Sequence, residues 1–191
     1  MSPPRQAELF APAPRLPDGF LYRADVLSGP EERQLVEWFA ALSFKPFEFR
    51  GYLGKRRVVS YGWRYDYSGR GLSRTDEIPP FLHDVRARAA SIAGVDPPAF
   101  EHVLLTEYPP SAEIGWHRDR PEFGDVVGLS LLSPCVLRFR RKQGARWERA
   151  SLNVEPRSGY LLRGPARTEW QHSIPAVPAL RYSVTFRTLR S

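Results

Sequence analysis

The sequence predicts an α+β fold, mainly β, in which two N-terminal helices support a sandwich or barrel. Three observations carry this. Helical apolar periodicity occurs in only two segments, residues 28–42 and 79–94. From Phe100 onward, short β-like runs follow one another between turn residues, with no helical pattern and no repeat of fixed period. The length, 191 residues, suits one domain with its own core.

Apolar residues make up 42% of the chain and aromatics 13%, the composition of a packed domain rather than of disorder. The single cysteine, Cys135, excludes an internal disulfide. No charged-then-apolar leader or long apolar run marks export or a membrane span, so a cytoplasmic protein with no membrane partner is expected, and a monomer. A net charge of +7 and a pI near 9.9 favour a polyanionic partner such as nucleic acid, against the blander reading of a solvated basic surface.

Residues 1–19 carry Pro3, Pro4, Pro12, Pro14 and Pro17 with little periodicity and read as a proline-rich tail or wrapping arm; residues 20–191 read as one domain. Phe20, Leu21 and Tyr22 begin ordered structure. Ser28 with Glu31 forms a capping-box pattern, and Leu35, Val36, Phe39, Ala40 and Leu42 line one face of the first helix. Between residues 44 and 78 the pattern turns to β-like runs broken by Gly51, Gly54 and Gly62, with Lys55, Arg56 and Arg57 clustered among them. If Arg57 to Tyr67 is one strand, Val59, Tyr61, Trp63, Tyr65 and Tyr67 share a face. Such a face suits core packing, or a platform for stacking bases with the basic triplet on phosphates. Pro79 and Pro80 open the second helix, whose face is Phe81, Leu82, Val85, Ala89 and Ile92 and whose end is Gly94; His83 lies off that face and is expected to be exposed. Strands are expected over 102–108, 126–133, 136–140, 146–153, 158–162 and 181–188.

The chemistry centres on His117-Arg118-Asp119. Side chains at i and i+2 share a face only in an extended chain, so His117 and Asp119 can chelate together if this stretch is extended. A third ligand would complete two histidines and one carboxylate on one side of a metal, the pattern of non-haem Fe(II) oxygenases. The chain has four histidines, and His172, where a later strand would return, is the best candidate. An isolated His-x-Asp is otherwise a common surface pair. The closing run Arg181-Tyr-Ser-Val-Thr-Phe-Arg187 adds weight, because alternation puts Arg181, Ser183, Thr185 and Arg187 on one face. Arginines facing into a small barrel require anions, which a dicarboxylate co-substrate and a metal-bound carboxylate would supply. Their Cα atoms lie about 20 Å apart at roughly 3.3 Å per residue, so each must serve a different group.

These features resemble the AlkB family of Fe(II)- and 2-oxoglutarate-dependent dioxygenases: Tyr108 nine residues before His117, the His117-x-Asp119 pair, His172 and the closing RYSVTFR. Ala89 to Gly94 and Gly62 to Tyr67 are also similar, and the likeness runs over about residues 20–190. The resemblance implies a double-stranded β-helix (jelly-roll) core over residues 100–191, with a nucleotide-recognition lid over 44–78. It implies Fe(II) held by His117, Asp119 and His172, and 2-oxoglutarate paired through its distal carboxylate with Arg181 and hydrogen-bonded by Tyr108, with Arg187 nearer the metal. Thr106 and Ser183 stand where the family often carries asparagines that assist 2-oxoglutarate. Together with O2, these imply oxidative dealkylation of alkylated nucleobases in DNA or RNA, with Arg56, Arg57, Tyr61, Trp63 and Tyr65 reading a flipped base. Two alternatives are an oxygenase acting on a protein side chain or small molecule, and a non-enzymatic metal-binding barrel.

Overall fold

The structure is a computed structural model that describes residues 15–49, 52–66 and 71–190. Most of the proline-rich segment and Tyr67 lie outside the described residues. In chain order the elements are β1 (Phe20–Arg23), α1 (Gly29–Ala40), β2 (Lys45–Phe49), β3 (Tyr52–Tyr61), β4 (Trp63–Asp66), β5 (Gly71–Arg74), α2 (His83–Ala93) and β6 (Phe100–Tyr108). There follow β7 (Ile114–His117), β8 (Phe123–Leu131), β9 (Cys135–Gln143), β10 (Arg146–Val154), β11 (Gly159–Leu162), α3 (Gly164–Thr168), β12 (Gln171–Ile174) and β13 (Arg181–Leu189).

Two antiparallel sheets face one another. The larger runs β1-β11-β8-β13-β6-β3-β2 and the smaller β10-β9-β12-β7, while β4 and β5 form a separate hairpin. The eight strands from β6 to β13 pass back and forth between the sheets, which is the double-stranded β-helix; β2 and β3 extend one edge of the larger sheet and β1 the other.

Strand alternation divides the apolar side chains between two layers. On β13, Tyr182, Val184 and Phe186 face outward and pack with Leu35 and Phe39 of α1 and Val85, Ala89 and Ile92 of α2. Between the sheets lie Leu137, Phe139, Val154, Tyr160, Leu162 and Trp170. The opposite face of β13, including Arg181, is thereby directed into the space between the sheets. Helix α1 starts with the reciprocal capping box of Ser28 and Glu31, and α2 ends at Gly94 in the left-handed conformation.

Two expectations need correction. The segment from Arg57 to Tyr67 is not one strand: Gly62 has φ +76°, and a Cβ there would sit 1.9 Å from the Glu101 carbonyl oxygen. Only glycine tolerates both constraints, so the chain breaks between β3 and β4, and Tyr61 is separated from Trp63 and Tyr65. The tail also gives way to the domain earlier than residue 20. Leu16 packs into the inter-sheet core, the Asp18 carbonyl accepts from Ala166 N at 2.9 Å and the Gly19 carbonyl from Arg163 N at 3.0 Å. Among the described residues no helix is long and apolar enough to cross a membrane.

Candidate metal and co-substrate site

His117 ends β7, Asp119 lies two residues beyond it, and His172 on β12 is directly across the pairing register from His117. One ligand atom from each of the three falls within 4.8 Å of the others, and the two imidazole centroids are 4.2 Å apart. His117 Nδ1 meets the Gly115 carbonyl at 2.8 Å. A carbonyl only accepts, so Nδ1 carries the proton and the lone pair of Nε2 is left for a metal.

The electrostatics suit that role. Burial, and then the neighbouring His117, push the His172 imidazole down to about 3, and burial also lowers His117, so both rings are neutral ligands at ordinary pH. Burial would raise the Asp119 carboxyl, but Arg187 and then the two histidines outweigh it and hold the group well below the usual carboxylate range. Asp119 Oδ1 accepts from Arg187 Nε and NH2, each at 2.8 Å, while its Oδ2 is 3.6 Å from His172 Nε2.

One pH prediction arises here. A histidine whose folded pKa lies below its unfolded value of 6.5 favours the folded state fully above that pH. Below it the unfolded chain binds the extra proton, and the stabilisation is lost as pH falls towards the folded value of about 3. The metal-free protein is therefore expected to lose stability steadily on acidification below 6.5, and His172→Gln to flatten that slope. Urea denaturation at a series of pH values measures it; parallel slopes for the two proteins would contradict it.

Arg187 is held from its other side by His102, whose Nδ1 lies 3.3 Å from Arg187 NH1. Since a guanidinium cannot accept, His102 Nδ1 is the acceptor; the ring is buried, and burial followed by Arg187 keeps it neutral. Arg167, on α3, donates to the Phe123 carbonyl at 2.8 Å and to the Arg120 carbonyl, and Arg118 donates to the Thr168 carbonyl at 3.1 Å. These bonds tie the loop bearing Asp119 to α3.

At the other end of β13, Arg181 is fully buried, its Nε donating to Ser130 Oγ at 3.1 Å. Its NH1 and NH2 are buried and meet no hydrogen-bond partner among the described residues. The Tyr108 ring lies 4.9 Å from the guanidinium carbon. Cross-strand register aligns Arg181 with Tyr108, Ser183 with Thr106 and Arg187 with His102, so all six share the inward face. A permanently charged fork in a dry interior is costly without an anion, and two parallel N–H groups match one carboxylate. The residues therefore fit a dicarboxylate at Arg181 and, through two imidazoles and a carboxylate, Fe(II).

The expected substrate residues divide. Arg56 lies on the inward face of β3, with its guanidinium 3.8 Å from the Phe47 ring. Tyr65 carries Arg120 over its ring at 4.2 Å, which brings the β4–β5 hairpin to the loop of Asp119, and Trp63 lies under Arg74 at 5.0 Å. Arg57 and Tyr61 stand apart from these. They point to the helix side of β3, where Arg57 is paired with Glu107 at 2.7 Å and Tyr61 packs against the helix-side core. Three further residues at the site, His102, Ser130 and Arg167, are not among those expected from the sequence. His102 was within reach, since the alternation from Tyr108 through Thr106 leads to it; Ser130 and Arg167 carry no local motif.

The 2OG-Fe(II) oxygenase superfamily matches residues 31–187. The chain belongs to that superfamily, whose name carries Fe(II) and 2-oxoglutarate, and His117, Asp119 and His172 form a group that could hold the metal. It is AlkB-like within it. It is 29% identical to the alkylated DNA repair protein ALKBH8 homolog of Arabidopsis thaliana, over 82% of this chain and 51% of the relative. It is 30% identical to the DNA oxidative demethylase ALKBH2 of Bos taurus, over 70% and 53% respectively. The chain thus spans about half the length of these curated relatives. The solved structure of OsALKBH1 shares the fold with a TM-score of 0.71 at 15% identity, over 93% of this chain and 100% of the other.

Proposed function

We propose that this oxygenase removes alkyl groups from nucleobases in DNA or RNA. His117, Asp119 and His172 would hold the iron. Arg181 grips the distal carboxylate of 2-oxoglutarate beside Tyr108, Thr106 and Ser183 line the same wall, and Arg187 keeps Asp119 ionised at the metal end. When bound, iron supplies the O2 chemistry that couples decarboxylation of 2-oxoglutarate to hydroxylation of the alkyl carbon, which then leaves the base as an aldehyde. The protein orients His117 through the Gly115 carbonyl, fixes the Asp119 loop through Arg167, and presents the base with Arg56, Trp63 and Tyr65.

The observation that carries the nucleic-acid substrate is the Tyr65–Arg120 pair, an aromatic plane and a cation one residue from Asp119. It suits a base and its phosphate, and the net charge of +7 agrees with a polyanionic substrate. A cavity of about 460 Å³ opens between Gly54 and Lys55 of β3 and Ser111, Glu113 and Gly115. The second reading, a protein side chain or small molecule, is favoured by Tyr61, which packs against the helix-side core, and by Arg57, whose guanidinium is engaged by Glu107.

The test is aldehyde release with Fe(II) and 2-oxoglutarate over a panel of methylated and etheno-modified DNA and RNA oligomers. At least one oligomer is expected to release aldehyde with the parent and none with His117→Ala, and the apparent affinity is expected to weaken steeply with salt. Succinate formation without aldehyde over the whole panel would overturn the reading in favour of the second.

A further inference from the structure

The outer face of the smaller sheet carries a second cationic and aromatic surface, on the far side of the strands that bear the two histidines. Leu137, Phe139, Ala150 and Val154 point into the core, so the alternate positions of β9 and β10 point outward. There Arg138, Arg140 and Lys142 of β9 lie across from Ser151, Arg149 and Trp147 of β10. On β12, Gln171 and Ser173 share that face, and Trp116 joins it from β7. No Asp or Glu occupies an outward position of β9, β10 or β12.

The side chains are ordered rather than merely solvated. Arg140 lies between two indoles, its guanidinium carbon 4.5 Å from the Trp116 ring and 4.7 Å from the Trp147 ring, and Arg138 lies 5.2 Å from Trp116. Arg140 Nε donates to Gln171 Oε1 at 2.7 Å and Arg138 Nε to Ser173 Oγ at 3.2 Å. These neutral partners fix the guanidinium planes without neutralising them. Elsewhere the arginines at 57, 88, 141, 157, 163 and 187 pair with carboxylates. Among the described residues Arg138, Arg140, Lys142 and Arg149 have no ion pair. Trp147 is 42% exposed and presents its ring at the edge of this ladder.

We propose that this ladder binds a single-stranded polynucleotide, its phosphates on Arg138, Arg140, Lys142 and Arg149 and an unpaired base on Trp147. Fixed cations without carboxylates match a regular array of phosphates, and an exposed indole stacks on any base. The strand β7 is the edge of the smaller sheet and also carries His117, so a chain leaving the active site reaches this face by turning one sheet edge. The proposal rests on the nucleic-acid reading above and adds a site for the unmodified part of the same substrate.

The test measures anisotropy of fluorescein-labelled (dT)15 with the full chain across a salt series. Arg140→Gln/Lys142→Gln/Arg149→Gln is expected to weaken binding on the order of tenfold and to lower the slope of log affinity against log salt by about 2, at roughly 0.7 per phosphate contact. Trp147→Ala is expected to weaken it on the order of fivefold or more with the slope unchanged, because stacking releases no counterions. Lys142→Gln/Arg149→Gln, which spares Arg140 and its contacts with Trp116, Trp147 and Gln171, is expected to lower the slope by about 1.4. Uncoupled succinate formation is expected to stay at the parent level in all three and confirms that they fold. Unchanged (dT)15 affinity in the triple variant overturns the ladder, and leaves the dealkylase reading standing if methylated oligomers still release aldehyde. Parent protein that neither binds (dT)15 nor acts on any oligomer overturns both. Tighter binding of a (dT)15·(dA)15 duplex, or equal binding of poly-L-glutamate lost in the same variant, overturns the single-strand assignment.

Discussion

Arg181→Met is expected to raise the KM for 2-oxoglutarate by on the order of a hundredfold or more, without destabilising the protein in the absence of co-substrate. The two effects have one cause. Arg181 is fully buried with its Nε bonded to Ser130, and its NH1 and NH2 meet no acceptor among the described residues. A charge in that setting lowers stability until an anion arrives, and an apolar side chain of similar length removes the cost. The same substitution deletes both N–H groups that would meet the distal carboxylate; truncating one partner of a buried charged pair costs about 2–5 kcal/mol, and about 3 kcal/mol is a hundredfold in affinity. Thermal unfolding separates the two terms. Co-substrate at about a hundred times its Kd should stabilise the parent by about 2.7 kcal/mol and the variant hardly at all. Arg181→Lys is expected to restore only part of the affinity, since an ammonium offers a point charge in place of a fork. An unchanged KM in Arg181→Met would remove Arg181 from the co-substrate site.

What the sequence disclosed and what it concealed divide along physical lines. Alternation along Arg181 to Arg187 is a local property, so the inward arginines and the outward Tyr182, Val184 and Phe186 could be read directly, and β13 obeys that pattern. The His117-x-Asp119 pair and His172 were within reach for a different reason: two imidazoles and a carboxylate are few enough to enumerate, and pairing of β7 with β12 brings them together. The lid was misread where one backbone angle decided the outcome. Aromatic periodicity runs on through Gly62, but that residue takes φ +76° with the Glu101 carbonyl where a Cβ would sit, and Tyr61 and Trp63 part company. The pairing of Arg57 with Glu107 has no local signal, because the two lie 50 positions apart and only strand register reveals the pair. Short α3 is hidden by its length, since five residues hold too little of a period to detect.

Asp119→Asn is expected to abolish turnover, by on the order of a thousandfold or more, since the substitution removes the one anionic member of the metal set and second-sphere losses alone cost about 10–100-fold in metal affinity. The neutral amide keeps the size of the carboxylate, so any structural loss comes from charge. Arg187 is then left with its side chain only 11% exposed and no carboxylate on Nε or NH2. Breaking a buried pair by deleting one partner costs about 3–5 kcal/mol. The metal-free Asp119→Asn protein should therefore be markedly less stable in urea than the parent. Adding Arg187→Met should recover part of that loss, because the uncompensated cation goes with it, while neither variant regains turnover. Mn(II) binding followed by electron paramagnetic resonance reports the metal set without relying on catalysis, and is expected to weaken in both variants. If Asp119→Asn kept turnover and Mn(II) affinity within tenfold of the parent, the carboxylate would be no ligand. The pairing with Arg187, held in turn by His102, would then be only a structural tie between β13 and the loop after β7.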